Sequence, residues 1–428
     1  MKASSPTNRI PEQMAAEGQD SSDRHAPLHG IRVLAISQFG AGPFATLNLA
    51  DLGAEVIKVE DPVVGGDVAR YVPPGAANGD SLYFQSFNRG KKSIAIDLRK
   101  PEGVSVFHRL VEKSDAVFNN LRGDLPDKLG LTYEQLRHLN PAIVTCSLSG
   151  FGRTGPRAAE PGYDPIMQGL AGYMSITGEP GAPPGKAGVS IIDFAGGYAA
   201  ALGLVAALLE AKSTGVGRDV DVSLLDTAVS MLSYFASWQL NSDWDPGRAP
   251  NSAHQTLVPA QNFETSDGWI VIFCAKEHFW QSLAALLDAS GQAAKLAPEL
   301  SGDPRFATFT DRFKNRDVLI PILSERLLQK STQEWLVLFR GRVPSGPVNT
   351  IEEALRDAQV EARGLVVEIE HPTRGTIRQV ASTITTEGSN LALTPGPALG
   401  ENTDQLLSDL LSLSETEIDE LREQGAIG

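Results

Sequence analysis

Between Gly30 and Gly150 short apolar runs alternate with helix-forming segments, and that alternation restricts the chain to few folds. IRVLAIS (31–37), EVIKVE (55–60), SIAIDL (93–98), AVFNN (116–120) and AIVTCSLSG (142–150) read as strands. Between them, 42–52, PEGVSVFHRLVEKS (101–114) and LTYEQLRHLN (131–140) read as helices, the second opened by Pro101 at the favoured first helical position. Strand, helix and strand at this pitch imply a parallel sheet wrapped by helices, an α/β fold whose ligands sit beyond the carboxyl ends of the strands.

The second half changes character. GVGRDVDVSLLDTAVSML gives one more strand and a helix, and NSDWDPGRAPNS (241–252) is turn and linker chemistry. GWIVIFC (268–274) starts a second unit that runs to about 342, VPSGPVN (343–349) reads as another linker, and LVVEIEHP with TIRQVAS has hairpin character. The spacing over 403–425 predicts terminal amphipathic helices. The expected division is a disordered leader (1–28), a large domain (29–225), a linker helix (226–244), a small domain (245–342), a linker (343–360) and a segment returning to the large domain (361–428).

The stretch from Pro161 to Leu209 carries the candidate chemistry. It is glycine-rich, poor in charge, and holds two aspartates, Asp164 and Asp193. Asp193 precedes a helix expected over 194–210, on which Tyr198, Leu202, Val205 and Leu209 recur at helical spacing. An acid there is either a helix cap or a carboxylate held at the positive end of a dipole and able to attack a carbonyl carbon. Near the start, Gly40, Gly42 and Ala45 form G-x-G-x-x-A, and Glu60 closes the next strand where a dinucleotide ribose would be held. Three readings fit that turn: an NAD site, a glycine turn admitting another phosphate or thioester, and a purely structural turn.

Composition excludes several classes. A formal charge of −15 argues against a nucleic-acid partner. Cys146 and Cys274 sit in separate apolar runs, as core thiols of a reducing compartment do. The seven histidines show no metal-ligand spacing, so no metal is expected. No signal peptide is read in the first residues and no run is read as a membrane span, which gives the cytoplasm as the expected address and no membrane partner.

The ordered set AGPFATLNLADLGAEVIKVE, SLYFQSFNRGKKSIAIDLRKPEG, NNLRGDLPDKLGLTYEQL, GFGRTGP, PGYDPIMQGLAGYMSITGEP, KAGVSIIDFAGG, VPSGPVNT and GPALGENTDQLLSDLLSLSETEI resembles the class III (CaiB/BaiF) CoA-transferases from about His29 to the end. The resemblance implies a Rossmann-like large domain, a smaller α+β domain and a homodimer of interlocked rings. It implies exchange of coenzyme A between an acyl-CoA and a small carboxylic acid, with no permanently bound cofactor and succinyl-CoA as the first choice of donor. By position in KAGVSIIDFAGG, Asp193 would be the nucleophile, passing through an aspartyl mixed anhydride and an aspartyl-CoA thioester. Ile96, Asp97, Leu98 and Arg99 would hold the nucleotide, Asn120, Leu121 and Arg122 the adenine and tail, and Lys128 a phosphate, with Lys91 and Lys92 adding positive charge nearby. Pro161, Gly162, Tyr163 and Asp164 would line the pantetheine and acyl end, Gly40 and Ala41 would offer backbone to the thioester oxygen, and Tyr83 would shape the acid pocket.

Two departures bear on specificity. Formyl-CoA transferases of the family carry glutamine where this chain has Gly40 and arginine where it has Asp61, and their glycine-rich loop is replaced here by APNSAHQTLVPAQ. Ser252 and His254 in that loop are therefore candidates for reading the acid. The family's 2-methylacyl-CoA racemases use histidine where this chain has Tyr163, a weak acid–base group at neutral pH, so transfer is expected over epimerisation.

Overall fold

The computed structural model describes residues 26–75, 79–290, 299–387 and 392–428. Of the leader expected at 1–28, residues 1–25 lie outside that set. The last three already belong to the fold, with Leu28 N donating to Leu52 O at 2.9 Å.

Six strands make one parallel sheet in the order β3-β2-β1-β4-β5-β6. They are β1 (Arg32–Ile36), β2 (Glu55–Glu60), β3 (Lys92–Ala95), β4 (Ala116–Asn119), β5 (Val144–Ser149) and β6 (Asp219–Ser223). The order reverses between β1 and β4, which opens a crevice at the carboxyl edge of the sheet. The strand expected over 93–98 stops at Ala95. Ile96 instead bridges Ile427 and is fully buried, so the end of the chain closes this edge of the core. The helix expected over 131–140 is one turn, Tyr133–Leu136, held by a capping box between Thr132 and Gln135.

Helices α1 (Ala41–Asp51) and α5 (Ile191–Thr214) cover one face of the sheet. On the other face α3 (Pro101–Val111) packs with the terminal helices Thr403–Leu411 and Glu415–Glu423. Pro101 does sit at the start of α3, with Glu102 in its first turn and His108 and Arg109 in its last, the charge order that suits the helix dipole. Helix α2 (Leu82–Asn88) is capped by Ser81, whose Oγ accepts from Phe84 N at 2.9 Å.

The packing of α5 leaves most of the stripe marked by that helical spacing outside the core. Its buried face is the small-residue one, including Gly196, Gly197, Ala200, Ala201 and Ala211, whereas Leu202 and Leu209 are 72% and 75% exposed. The reason is a close approach to α1: a Cβ on Gly197 would lie 2.9 Å from the Phe44 ring and 3.0 Å from Ala41 O. Larger side chains on the buried face, Ile192, Leu204 and Leu208, lie away from that contact. Contrary to the sequence reading, α5 is long and apolar enough by composition to cross a membrane. Here half of that apolar stretch is buried inside the protein, as in a core helix.

The linker helix is two helices, Leu224–Met231 and Tyr234–Asn241, broken at Ser233, whose φ is +48°. The small unit is an antiparallel sheet of Ala260–Glu264, Trp269–Phe273 and Ser345–Pro347, so the segment read as a second linker supplies its third strand. Trp280, Leu283, Trp335 and Phe339 fill its separate core. The hairpin Val366–His371 and Gly375–Val380 forms as expected and docks on the large domain, where Arg374 Nε donates to Asp80 Oδ2 at 2.6 Å.

Candidate active site

Asp193 lies in the first turn of α5 and is 9% exposed. It is not the cap of that helix. Ser190 occupies the cap position, and the free backbone N–H groups are met by Asp164, whose Oδ1 accepts from Ile192 N at 2.7 Å and, more distantly, from Asp193 N at 3.4 Å. Asp164, itself the first residue of α4 (Asp164–Leu170), is steadied by Gln168 Nε2, which donates to its Oδ2 at 2.7 Å. Among the described residues no group donates a hydrogen bond to the Asp193 carboxyl. The cap reading thus passes to Asp164, and Asp193 is left unengaged.

Across from Asp193 the chain leaves β1 through Ser37, Gln38 and Phe39 into Gly40. A Cβ built on Gly40 would stand 3.2 Å from Tyr83 Oη and 3.4 Å from Asp193 Oδ2. The absence of a side chain at Gly40 therefore leaves one side of the carboxyl open, bounded by the Tyr83 hydroxyl. The Phe39 ring lies 5.3 Å from that of Tyr83 and 6.3 Å from that of Tyr163, so three aromatics flank the opening. Tyr163 is 57% exposed. Burial, with Asp164 nearby adding repulsion, pushes the Asp193 carboxyl up from 3.8 to about 7. Burial and the neighbouring acids Asp193 and Asp67 push the Tyr83 hydroxyl to about 12, so it remains a proton donor at any ordinary pH.

The remaining sequence candidates ring the same carboxyl edge with different fates. Arg99 donates from Nε to Asp97 Oδ1 at 2.8 Å and from Nη2 to Asp61 Oδ1 at 3.1 Å. Arg122 and Lys128 both hold Asp124, at 2.5 and 2.6 Å. All three cations are paired with carboxylates and remain partly exposed. Leu98 and Leu121 are half-buried against the core. Asn120 grips the backbone of Gln38, accepting at 2.9 Å and donating at 2.8 Å, and packs so tightly on Gly42 that a Cβ there would lie 2.6 Å from its Cγ. Ala41 is buried at the start of α1. Gly162 packs on Gly150, with a would-be Cβ 2.6 Å from the Gly150 Cα, which brings Pro161 and Gly162 to the end of β5.

Lys91 and Lys92 supply no local positive field. Lys91 is buried and donates to Pro43 O, Thr46 Oγ1 and Asn88 Oδ1, its ammonium pKa pulled well down by burial; Lys92 pairs with Glu55. Glu60 is also spent. It holds Arg70 at 2.6 Å and accepts from Ser93 Oγ and Asp67 N, so it presents no acceptor to a ribose. The glycine turn is real, but the dinucleotide reading of it fails at Glu60.

The model of CoA-transferase family III matches residues 28–403. The chain belongs to this family. Succinate–glutarate CoA-transferase of Agrobacterium fabrum is 38% identical over 93% of the chain and 99% of its own length. Human succinyl-CoA:glutarate CoA-transferase is 36% identical over 96% and 92%. The crystal structure of a CaiB/BaiF family protein from Brucella suis, 35% identical, superposes over 90% of this chain and all of that one with a TM-score of 0.77. This protein is accordingly a CoA-transferase, moving coenzyme A between an acyl-CoA and a carboxylic acid.

Two candidates of the transferase do not gather at Asp193 within one chain. Ser252 and His254 line a cavity with Tyr234, Phe235, Gln261 and Phe273, between the linker helices and the small sheet. His254 Nδ1 accepts from Thr256 N and Leu257 N at 3.2 and 3.1 Å, and burial lowers its pKa, so the ring is a neutral turn anchor. Sequence reasoning also missed Phe39, Lys58, Asp67 and Gln168. The available signal was in EVIKVE: two opposite charges on one face of a strand buried within a sheet must find partners inside.

Proposed function

We propose that the Asp193 carboxylate is the covalent carrier of the acyl exchange, with succinyl-CoA as donor and a dicarboxylate such as glutarate as acceptor. One observation carries this reading: the unengaged, buried Asp193 carboxyl faces the opening left by Gly40. In the first step an Asp193 oxygen attacks the thioester carbon, the C–S bond breaks, and CoA leaves as thiolate. The product is an anhydride between Asp193 and the donor acid. The thiolate then attacks the aspartyl carbonyl carbon and expels the donor carboxylate, leaving an aspartyl-CoA thioester. The acceptor carboxylate runs the two steps backwards, and Asp193 is returned as carboxylate with no net proton or electron change.

The Gly40 and Ala41 backbone and the Tyr83 hydroxyl are the groups placed to meet the oxyanion of the tetrahedral intermediates. Tyr163 and Asp164 bound the acyl end, and Arg99, Arg122 and Lys128 take the phosphates of CoA. Ser252 and His254 are assigned to acid selection, acting across subunits of a homodimer. The exposed Leu202, Leu209, Leu240 and Ile351 favour such an assembly, since large apolar side chains at 72–82% exposure suit a covered face. The names of the relatives from Agrobacterium fabrum and human favour the choice of acids.

The test is chemical trapping. Succinyl-CoA followed by hydroxylamine or borohydride should modify the peptide containing Asp193 and no other. Label on Asp164, or none with active enzyme, would remove Asp193 from the mechanism. A survey of dicarboxylates against succinyl-CoA reads the acceptor in the same preparation.

A further inference from the structure

We infer that the buried ion pair Lys58–Asp67 is a positioning device for the Phe39–Gly40 turn at the Asp193 carboxyl. This rests on the proposal that Asp193 is the nucleophile. Strand β2 carries Lys58 and Glu60 two residues apart, hence on one face, and both are buried. Lys58 Nζ donates to Asp67 Oδ2 at 2.7 Å and also to the backbone oxygen of Ser37. Asp67 Oδ1 accepts from Phe39 N and from Ala69 N, each at 2.9 Å. Asp67 N in turn donates to Glu60 Oε1 at 2.9 Å. The ammonium and the carboxylate thus clamp the turn from both sides, one at Ser37 O and the other at Phe39 N.

The clamp holds a conformation the turn would not choose. Phe39 has a φ of +67°, the left-handed region that bulky residues rarely enter. That twist brings Gly40 against Asp193 and Tyr83. Released, Phe39 would relax towards negative φ, swinging Gly40 and the first N–H groups of α1 away from the carboxyl. A buried ion pair is a weak stabiliser by itself, because desolvation offsets most of the attraction. A pair whose two partners both bond the same three-residue turn has geometry, rather than stability, as its product. Lys58 and Asp67 touch neither substrate nor reacting atoms in this reading; they are positioning residues.

Two double variants separate position from charge. Lys58→Met with Asp67→Asn removes both charges and keeps an amide oxygen for Phe39 N. Lys58→Met with Asp67→Leu removes that acceptor as well. Expected for the first, which loses the Lys58 bond to Ser37 O but keeps an acceptor for Phe39 N, is a partial loss of about tenfold in kcat. Expected for the second is a loss of about 10²-fold in kcat, the scale of a misplaced donor or an ångström of misalignment, with CoA affinity unchanged. Equal kcat in both variants overturns the proposal, as does a loss confined to KM. If the leucine variant does not fold, wild-type hydrogen exchange decides: the Phe39 amide should exchange many times more slowly than a solvated amide, and rapid exchange refutes the clamp. Trapping at Asp193 is run on every variant. Failure to label wild type sinks the nucleophile, whereas normal labelling with undiminished rate in the leucine variant sinks only the clamp.

Discussion

Asp193→Asn should stabilise the folded protein while abolishing transfer, and the gain should grow with pH. In the fold the carboxyl titrates near 7 rather than 3.8, because burial and Asp164 disfavour its charge. An acid whose pKa is raised by folding binds its proton more tightly in the native state, so its contribution to stability is full below pH 3.8 and is lost progressively as pH rises to about 7. At about 1.4 kcal/mol per tenfold change in proton affinity, the ionised side chain costs on the order of 4 kcal/mol above pH 7 and little more than a third of that near pH 5. Asparagine has nearly the same volume and no charge to desolvate. Denaturant unfolding of both proteins at pH 5 and pH 8 should therefore show an Asn advantage that widens by about 3 kcal/mol, with no transfer activity at either pH. A cap would behave differently: Asn is as good a cap as Asp, so the two proteins would match at every pH. A pH-independent difference, or retained turnover, would refute the assignment of a buried, functional carboxylate.

Three further outcomes follow from the same geometry. The kcat/KM of the wild type should rise with pH through an apparent pKa of about 7 as Asp193 ionises, and a flat profile from pH 5 to 8 would contradict it. Gly40→Ala, at a φ of −105° that alanine accepts, should fold normally yet lose at least ~10-fold in kcat/KM, because its methyl stands against Tyr83 Oη and Asp193 Oδ2; unaltered kinetics would show that substrate does not enter there. Arg122→Ala and Lys128→Ala should raise the KM for acyl-CoA, less so in high salt, with kcat held; a fall in kcat alone would place them outside the CoA site.

The sheet was legible because its pattern is set locally. Apolar runs of strand length broken by Gly and Pro punctuation do not depend on what packs against them, and EVIKVE spans β2 without an error at either end. What packs on what was less legible. Tyr198, Leu202, Val205 and Leu209 mark a stripe at the correct period, yet the buried face is the one carrying Gly197, where α1 passes too close for anything larger, together with Leu204 and Leu208. The α5 start lies three residues before the expected one: Ser190 and Asp193 form a local S-x-x-D signature, but the Ser190 side chain makes no cap bond and the first N–H groups are met by Asp164, far away in the chain. Glu60 misled for a related reason. A motif fixes spacing, but only tertiary structure reveals that Arg70 and Ser93 already occupy the acid.

The two aspartates of the glycine-rich stretch show how environment divides one chemistry into two roles. Asp164 is buried with Ile192 N and Gln168 Nε2 donating to it, so its negative charge is met by fixed dipoles and tied to the orientation of α5. Asp193, one turn into the same helix, is denied those donors because Asp164 has taken them. Its charge is instead opposed by burial and by the Asp164 carboxylate itself, which makes it basic and weakly solvated, the condition in which a carboxylate attacks a carbonyl most readily. The cap therefore does more than end a helix. By satisfying the backbone from outside, Asp164 fixes the start of α5, and its charge adds to burial in raising the affinity of Asp193 for a proton.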